Sequence, residues 1–133
     1  MFVGVDHVGV AVKNLDEAVC LYRDVLGFKF EGFHVLIERK VKVAFFSTDG
    51  EAQIELLEPL GDDSPIAKFL QSRGEGVHHL AVKVDDIEAV LEEFKRKGVT
   101  LIDDKPRIGA EGKKVAFVHP KSTKGMLLEL TMK

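Results

Sequence analysis

Apolar and polar positions alternate at the start of the chain. Within residues 3–12, the even positions 8, 10 and 12 are valine, whereas His7 lies at an odd position close to small residues. A period of two predicts a β-strand whose even face is suited to a covering helix, and it places His7 on the opposite face. Residues 15–26 then take helical spacing, with Asn14 suited to cap this helix and Gly27 suited to end it.

Three further strand-like runs follow this helix, at residues 28–38, 42–47 and 52–58. Asp49 and Gly50 predict a hairpin turn between the last two runs. The order of elements is therefore βαβββ. Ser64 followed by Pro65 is a favourable helix start and predicts a linker helix over 66–72.

The same pattern occurs a second time. A constant offset of 72 residues carries His7 onto His79 and residues 43–46 onto residues 115–118. A strand at 76–84, a helix at 86–97 and strand-like runs near 99–102, 113–119 and 126–132 repeat the βαβββ order. The pattern predicts an α+β fold in a single domain, residues 1–133, with modules at about 3–60 and 76–132 and a linker helix at about 64–73.

Each module also carries a glutamate in the middle of an apolar strand. Glu55 and Glu129 are each flanked by two aliphatic residues, and they match at an offset of 74 residues. An ionised carboxylate in such a place is costly unless a counter-charge pairs with it. The occurrence of such a glutamate at matched positions in both modules indicates that Glu55 and Glu129 share a role.

The candidate functional residues are the four polar residues at matched positions: His7, Glu55, His79 and Glu129. Two imidazoles and two carboxylates around one point would bind a divalent metal ion. This mixture of nitrogen and oxygen donors suits Co, Mn, Ni, Fe or Zn better than Mg or Ca. Any one of the four alone would more often be a structural residue, but a core position would be apolar in both copies. The sequence therefore predicts a metal site.

The other histidines lack this duplication. His78 lies on the strand face opposite His79, so we expect a structural or rim residue there. His34 and His119 have no equivalents in the other copy, and His119 comes at a strand end where it could line the mouth of a pocket.

Composition narrows the class of protein. The chain has 133 residues, of which 45% are hydrophobic and 31% charged, with a net charge of −3 and a single cysteine. These values predict a globular protein without a disulfide framework, a nucleic-acid groove or a membrane span. The N-terminus enters a strand at once, which leaves no room for a signal sequence, so we expect a cytoplasmic protein.

The duplicated βαβββ modules, with a polar residue on the first and last strand of each, resemble the vicinal oxygen chelate superfamily. Within it, the chain is most similar to the methylmalonyl-CoA epimerases. The resemblance covers nearly the whole length and is carried by residues 6–11, 55–60, 63–70, 74–81 and 119–125. It implies a cupped mixed sheet around a metal site, with the helices outside.

The resemblance also implies a reaction, the metal-dependent epimerisation of (2R)- and (2S)-methylmalonyl-CoA in propionate metabolism. The proton at C2 would move by 1,1-transfer through a metal-chelated enolate, with Co²⁺ or Mn²⁺ favoured and Ni²⁺, Fe²⁺ or Zn²⁺ as alternatives. Some epimerases differ in having Gln at the position of Glu55 and Glu at that of Val43. We therefore expect Glu129 and Glu55 to be the two acid/base residues as well as metal ligands, with Glu38 or water as the alternative to Glu55.

Further expectations concern the substrate and the assembly. Lys121 and Arg107 are candidates for binding the CoA or carboxylate groups, although each alone could be a solvated surface charge. We expect a homodimer that binds no nucleic acid and no membrane. Two other functions remain as alternatives: a lactoylglutathione lyase of the glyoxalase I type, and a non-catalytic protein that binds small molecules.

Overall fold

The computed structural model describes residues 1–109 and 112–132. The elements in this part of the chain are β1 (Phe2–Ala11), α1 (Leu15–Cys20), β2 (Lys29–Leu36), β3 (Val41–Ser47), β4 (Gln53–Pro59), α2 (Pro65–Arg73), β5 (Gly76–Val84), α3 (Ile87–Arg96), β6 (Arg107–Ile108), β7 (Lys114–Val118) and β8 (Leu127–Met132). A π-helical turn at Leu21–Val25 and 3₁₀ turns at Ile37–Arg39 and Pro120–Ser122 complete them. Among the described helices, none is both long enough and apolar enough to cross a membrane.

The chain forms two compact units, which we call the first unit (residues 7–78) and the second unit (residues 1–6 and 79–133). The boundaries fall inside β1 and β5. Strands and helices follow each other in the order predicted by the duplication, and both units contain parallel and antiparallel strand pairs. The predicted α+β class is confirmed.

The first unit has the strand order β2-β3-β4-β1. Strand β4 runs parallel to β1 and antiparallel to β3. Helix α1 packs on one face of these strands, in a core formed by Val12, Leu15, Val19, Ala44, Phe46 and Leu56. Ile66 of α2 packs on the other face, with Ala11, Val41, Val43 and Leu57. The alternation predicted for β1 is confirmed, because Val12 and Ala11 belong to different cores.

Local hydrogen bonds explain where α1 begins and ends. The side chain of Asn14 accepts a hydrogen bond from the backbone N–H of Glu17 at 3.0 Å, as expected of a helix cap. The predicted α-helix through residue 26 is only partly correct, since regular α-helix stops at Cys20. The N–H of Leu26 donates to the carbonyl of Leu21, five residues back, and Gly27 then turns the chain with a φ of +83°.

Helix α2 begins at a fully buried cap. Ser64 has no exposed surface, and its hydroxyl accepts a hydrogen bond from the N–H of Ile66 at 3.2 Å. We expect Ser64→Ala to lower the free energy of unfolding by about 1 kcal/mol, because this buried N–H loses its acceptor. Urea unfolding followed by circular dichroism measures the change. Ser72→Ala, at an exposed position near the other end of α2, is the matched control and should change stability by much less.

The second unit has the strand order β5-β8-β7-β6, with β5 parallel to β8 and β7 antiparallel to both of its neighbours. Helix α3 covers one face in a core of Val84, Ile87, Val90, Leu91, Ala116, Val118 and Leu130. The predicted strand near 99–102 is wrong. Only an isolated bridge joins Leu101 to Val118, because the neighbouring N–H of Thr100 donates instead to the hydroxyl of Ser122 at 2.8 Å.

Candidate metal centre

A histidine and a glutamate meet on the first unit's face opposite α1. His7 comes from β1 and Glu55 from β4, where Gly9 lies directly opposite Glu55 in the strand register. Because side chains alternate along both strands, His7 and Glu55 share the face of Ala11 and Leu57. The His7 Nδ1 atom lies 3.4 Å from the Glu55 Oε2 atom, and the two side chains are only 10% and 16% exposed.

The second unit holds an equivalent pair on the face opposite α3. His79 comes from β5 and Glu129 from β8, with Ala81 directly opposite Glu129. The His79 Nε2 atom lies 3.8 Å from the Glu129 Oε1 atom, and the side chains are 10% and 11% exposed. Each unit therefore supplies one nearly buried imidazole and one nearly buried carboxylate.

Matched phenylalanines lie beside the two carboxylates. Phe45 is the cross-strand partner of Glu55, and Phe117 is the cross-strand partner of Glu129. These rings were not predicted to belong to the site, although residues 43–46 and 115–118 repeat each other in sequence. Aromatic rings next to a carboxylate reduce its access to water, which raises the cost of leaving its charge uncompensated.

The two pairs fit a divalent transition metal in donor type and spacing. Nitrogen and oxygen donors that bind the same ion at 2.0–2.2 Å lie about 3 Å from each other. The separations of 3.4 Å and 3.8 Å within the pairs are close to this value. The separation of 3.8 Å between His79 Nε2 and Glu129 Oε1 lies within the range of an ion pair and is longer than a hydrogen bond. His7, His79 and Glu129 are all buried residues of metal-binding types.

The two predicted substrate-binding residues lie in different settings in the second unit. The Arg107 guanidinium stands 5.7 Å from the centre of the Phe117 ring, and its Nε atom lies 3.1 Å from the Asp103 Oδ1 atom. Arg107 is thereby held next to the cross-strand neighbour of Glu129. Lys121 is exposed in the 3₁₀ turn before β8, where its backbone N–H donates to the His119 Nδ1 atom at 3.0 Å.

The remaining histidines have local partners. His78 packs its ring against Phe69 of α2, with the ring centres 5.0 Å apart, and burial lowers the pKa of His78. It therefore stays neutral over a wider pH range than a free imidazole. His34 is exposed on β2 and makes an edge-on contact with the Phe45 ring at 5.0 Å.

Comparison with known proteins gives consistent matches. Residues 6–117 match the model of the glyoxalase/bleomycin resistance protein/dioxygenase superfamily. The mitochondrial methylmalonyl-CoA epimerase of Mus musculus is 44% identical over 126 residues, which are 94% of this chain and 70% of the relative. The crystal structure of methylmalonyl-CoA epimerase from Mycobacterium tuberculosis superimposes with a TM-score of 0.89 at 36% identity, covering 98% of this chain and 88% of that one.

A further solved structure contains a ligand. A methylmalonyl-CoA epimerase in complex with methylmalonyl-CoA and NH₄⁺ superimposes with a TM-score of 0.88 at 36% identity, covering 100% of this chain and 96% of that one. These matches extend over nearly the whole chain, and they confirm the resemblance drawn from the sequence.

Proposed function

Because the chain belongs to the glyoxalase/bleomycin resistance protein/dioxygenase superfamily, we propose that it interconverts (2R)- and (2S)-methylmalonyl-CoA in a metal-dependent reaction. The observation that carries this proposal is the imidazole–carboxylate pair in each unit. His7 and Glu55 lie on the sheet face opposite α1, and His79 and Glu129 lie on the sheet face opposite α3. Relatives with this activity in their names cover nearly the whole chain and support the choice of substrate.

His7, Glu55, His79 and Glu129 would together hold one divalent metal ion. Two neutral imidazoles and two carboxylates offer four ligands and cancel the charge of the ion, which favours Co²⁺ or Mn²⁺ among ions that accept mixed nitrogen and oxygen donors. When bound, such an ion supplies a Lewis acid that stabilises negative charge developing on a substrate oxygen.

Glu129 and Glu55 carry the proton chemistry. The C2 proton of methylmalonyl-CoA lies between a thioester and a carboxylate, so its removal leaves a planar enolate. Epimerisation requires a base on one face of this plane and an acid on the other. Because each unit supplies one carboxylate, Glu129 serves one face of the enolate and Glu55 serves the other.

Val43 narrows the choice of the second acid/base residue. Its side chain is 1% exposed and packs in the core with Ala11, Leu57 and Ile66, and it cannot carry a proton. Glu38, the other alternative on this unit, is exposed in the 3₁₀ turn after β2. Glu55 already lies next to His7, so we assign the second role to Glu55.

The first experiment combines metal analysis with an isotope assay. We expect the purified protein to contain a divalent transition metal, and we expect NMR in D₂O to show both epimerisation of methylmalonyl-CoA and deuterium entry at C2. Removal of the metal by a chelator should abolish both, and added Co²⁺ or Mn²⁺ should restore them.

Methylglyoxal with glutathione is the parallel substrate test. Turnover of this mixture without deuterium entry into methylmalonyl-CoA would replace the proposal with a lactoylglutathione lyase activity. Full epimerisation by protein that is free of metal would contradict the metal dependence.

A further inference from the structure

The loop before β6 is tied to Phe117, the residue directly opposite Glu129 in the strand register. The Asp103 Oδ2 atom accepts a hydrogen bond from the Phe117 N–H at 2.8 Å. The Phe117 carbonyl accepts in turn from the N–H groups of Ile102 at 2.9 Å and of Asp103 at 3.3 Å. Both backbone groups of Phe117 therefore point away from β8. Phe117 and Glu129 thus form a non-hydrogen-bonded pair, the type that brings cross-strand side chains closest together.

The Asp103 carboxylate also holds Arg107. Its Oδ1 atom lies 3.1 Å from the Arg107 Nε atom, and the Asp103 side chain is only 13% exposed. The Arg107 guanidinium in turn stands 5.7 Å from the centre of the Phe117 ring. One nearly buried carboxylate therefore fixes the backbone of Phe117 and, through Arg107, a group that packs on its ring.

The first unit fixes its matched ring in a different way. Phe45 is the counterpart of Phe117 at the offset of 72 residues, and its cross-strand partners are Glu55 on β4 and Gly32 on β2. Strand β2 has eight residues, whereas β6 has two. In the second unit, Asp103 supplies from a loop the contact that a complete strand supplies in the first. The tie is placed at the residue opposite the glutamate.

We propose that Asp103 is a positioning residue for Glu129, because it fixes the Phe117 ring beside the Glu129 carboxylate. This inference rests on the proposed function, in which Glu129 is a metal ligand and an acid/base residue. A ring held in one place limits the orientations open to the neighbouring carboxylate and keeps water away from it, as the groups around a metal ligand do. Asp103 acts through Phe117 and needs no contact with the ion or the substrate.

Co²⁺ binding reports the orientation of Glu129 without any turnover. Groups that orient metal ligands contribute roughly 10–100-fold to metal affinity. In competition with a chelator, we expect Asp103→Ala to bind Co²⁺ about tenfold more weakly and to shift the visible absorption of the bound ion. Asp103→Asn keeps an oxygen for the Phe117 N–H but loses the charge that holds Arg107, so its affinity should fall about threefold.

Two comparisons separate positioning from a general loss of stability. Asp86→Ala removes the cap of α3, where the Asp86 carboxylate accepts from the Ala89 N–H at 3.1 Å. It should lower the urea midpoint about as much as Asp103→Ala does, yet leave the Co²⁺ affinity and absorption unchanged. A Phe117→Leu protein already lacks the ring, so adding Asp103→Ala to it should cause no further loss of Co²⁺ affinity.

The epimerase assay gives a second readout. At saturating Co²⁺, Asp103→Ala should lower kcat about tenfold with KM nearly unchanged. A higher KM with unchanged kcat would instead assign Asp103 to substrate binding through Arg107, and it would overturn the positioning role.

Unchanged Co²⁺ affinity in both Asp103 variants, an equal loss in the Asp86→Ala protein, or additive losses in the double variant would overturn the inference, even if the wild-type protein epimerises normally. Asp103→Asn decides the question if Asp103→Ala does not fold. A wild-type protein that binds Co²⁺ without epimerising would contradict the proposed function alone, because the affinities of the variants would still test Asp103. A wild-type protein that binds no Co²⁺ would overturn both.

Discussion

Replacing Glu129 by glutamine is expected to lower kcat for epimerisation about a thousandfold, because a positioned acid/base group contributes roughly 10²–10⁴ in rate. Glutamine keeps the shape of the side chain and one carbonyl oxygen, but it cannot accept and return a proton. Glu129 is only 8% exposed, and Phe117 lies directly opposite it, so solvent is poorly placed to replace the carboxylate. The measurement is kcat with metal content determined on the same sample.

Deuterium exchange sharpens this test. With one of two bases removed, we expect the epimer whose C2 proton faces Glu129 to lose its exchange with D₂O, while the other epimer still exchanges without inverting. Glu92→Gln, on the exposed surface of α3, removes a carboxylate elsewhere in the same unit and should change neither rate. Equal loss of exchange from both epimers in a metal-loaded Glu129→Gln protein would argue against a role on one face only.

Glu55→Gln is expected to produce the complementary result. Epimerisation should again fall about a thousandfold, and the epimer that loses exchange should be the one that the Glu129→Gln protein retains. Metal affinity should also fall, because a neutral amide replaces an anionic ligand next to His7. Comparison at saturating metal separates loss of the ion from loss of the base.

One outcome would contradict the assignment of Glu55 as the second acid/base residue. A Glu55→Gln protein that retains both its metal and full epimerisation would show that Glu55 is not the second acid/base residue. Glu31→Gln is the matched control for this unit, since Glu31 lies on β2 with a side chain 40% exposed and interacts with Ser47 and Lys29. Its rates should match those of the wild-type protein.

The face on which each candidate ligand lies was predictable from alternation alone. Val12 and Ala11 are adjacent in sequence but belong to cores on opposite faces. A strand that is covered by a helix must concentrate its apolar residues on the covered side, so the alternation in the sequence shows which face the helix covers. The roles of His7 and His79 as metal ligands stay predictions.

Other features of the fold depend on contacts between residues that are distant in sequence, which a local sequence pattern does not predict. Strand β6 has two residues, Arg107 and Ile108, which is too short for any periodicity. Residues near Leu101 have the composition of a strand, but the Thr100 N–H donates to the hydroxyl of Ser122, and the Thr100 carbonyl accepts from the N–H of His119.

The assignment of residues 1–6 to the second unit affects the order in which the protein can be completed during synthesis. The Met1 ammonium group lies 3.3 Å from the Asp85 carboxylate, and the Phe2 ring packs against Phe94 at 6.3 Å. The first unit, residues 7–78, is continuous in sequence, so all of its residues are synthesised before residue 79. The first six residues must wait for partners that are made more than seventy residues later, so the half of the protein that carries Glu129 is finished last.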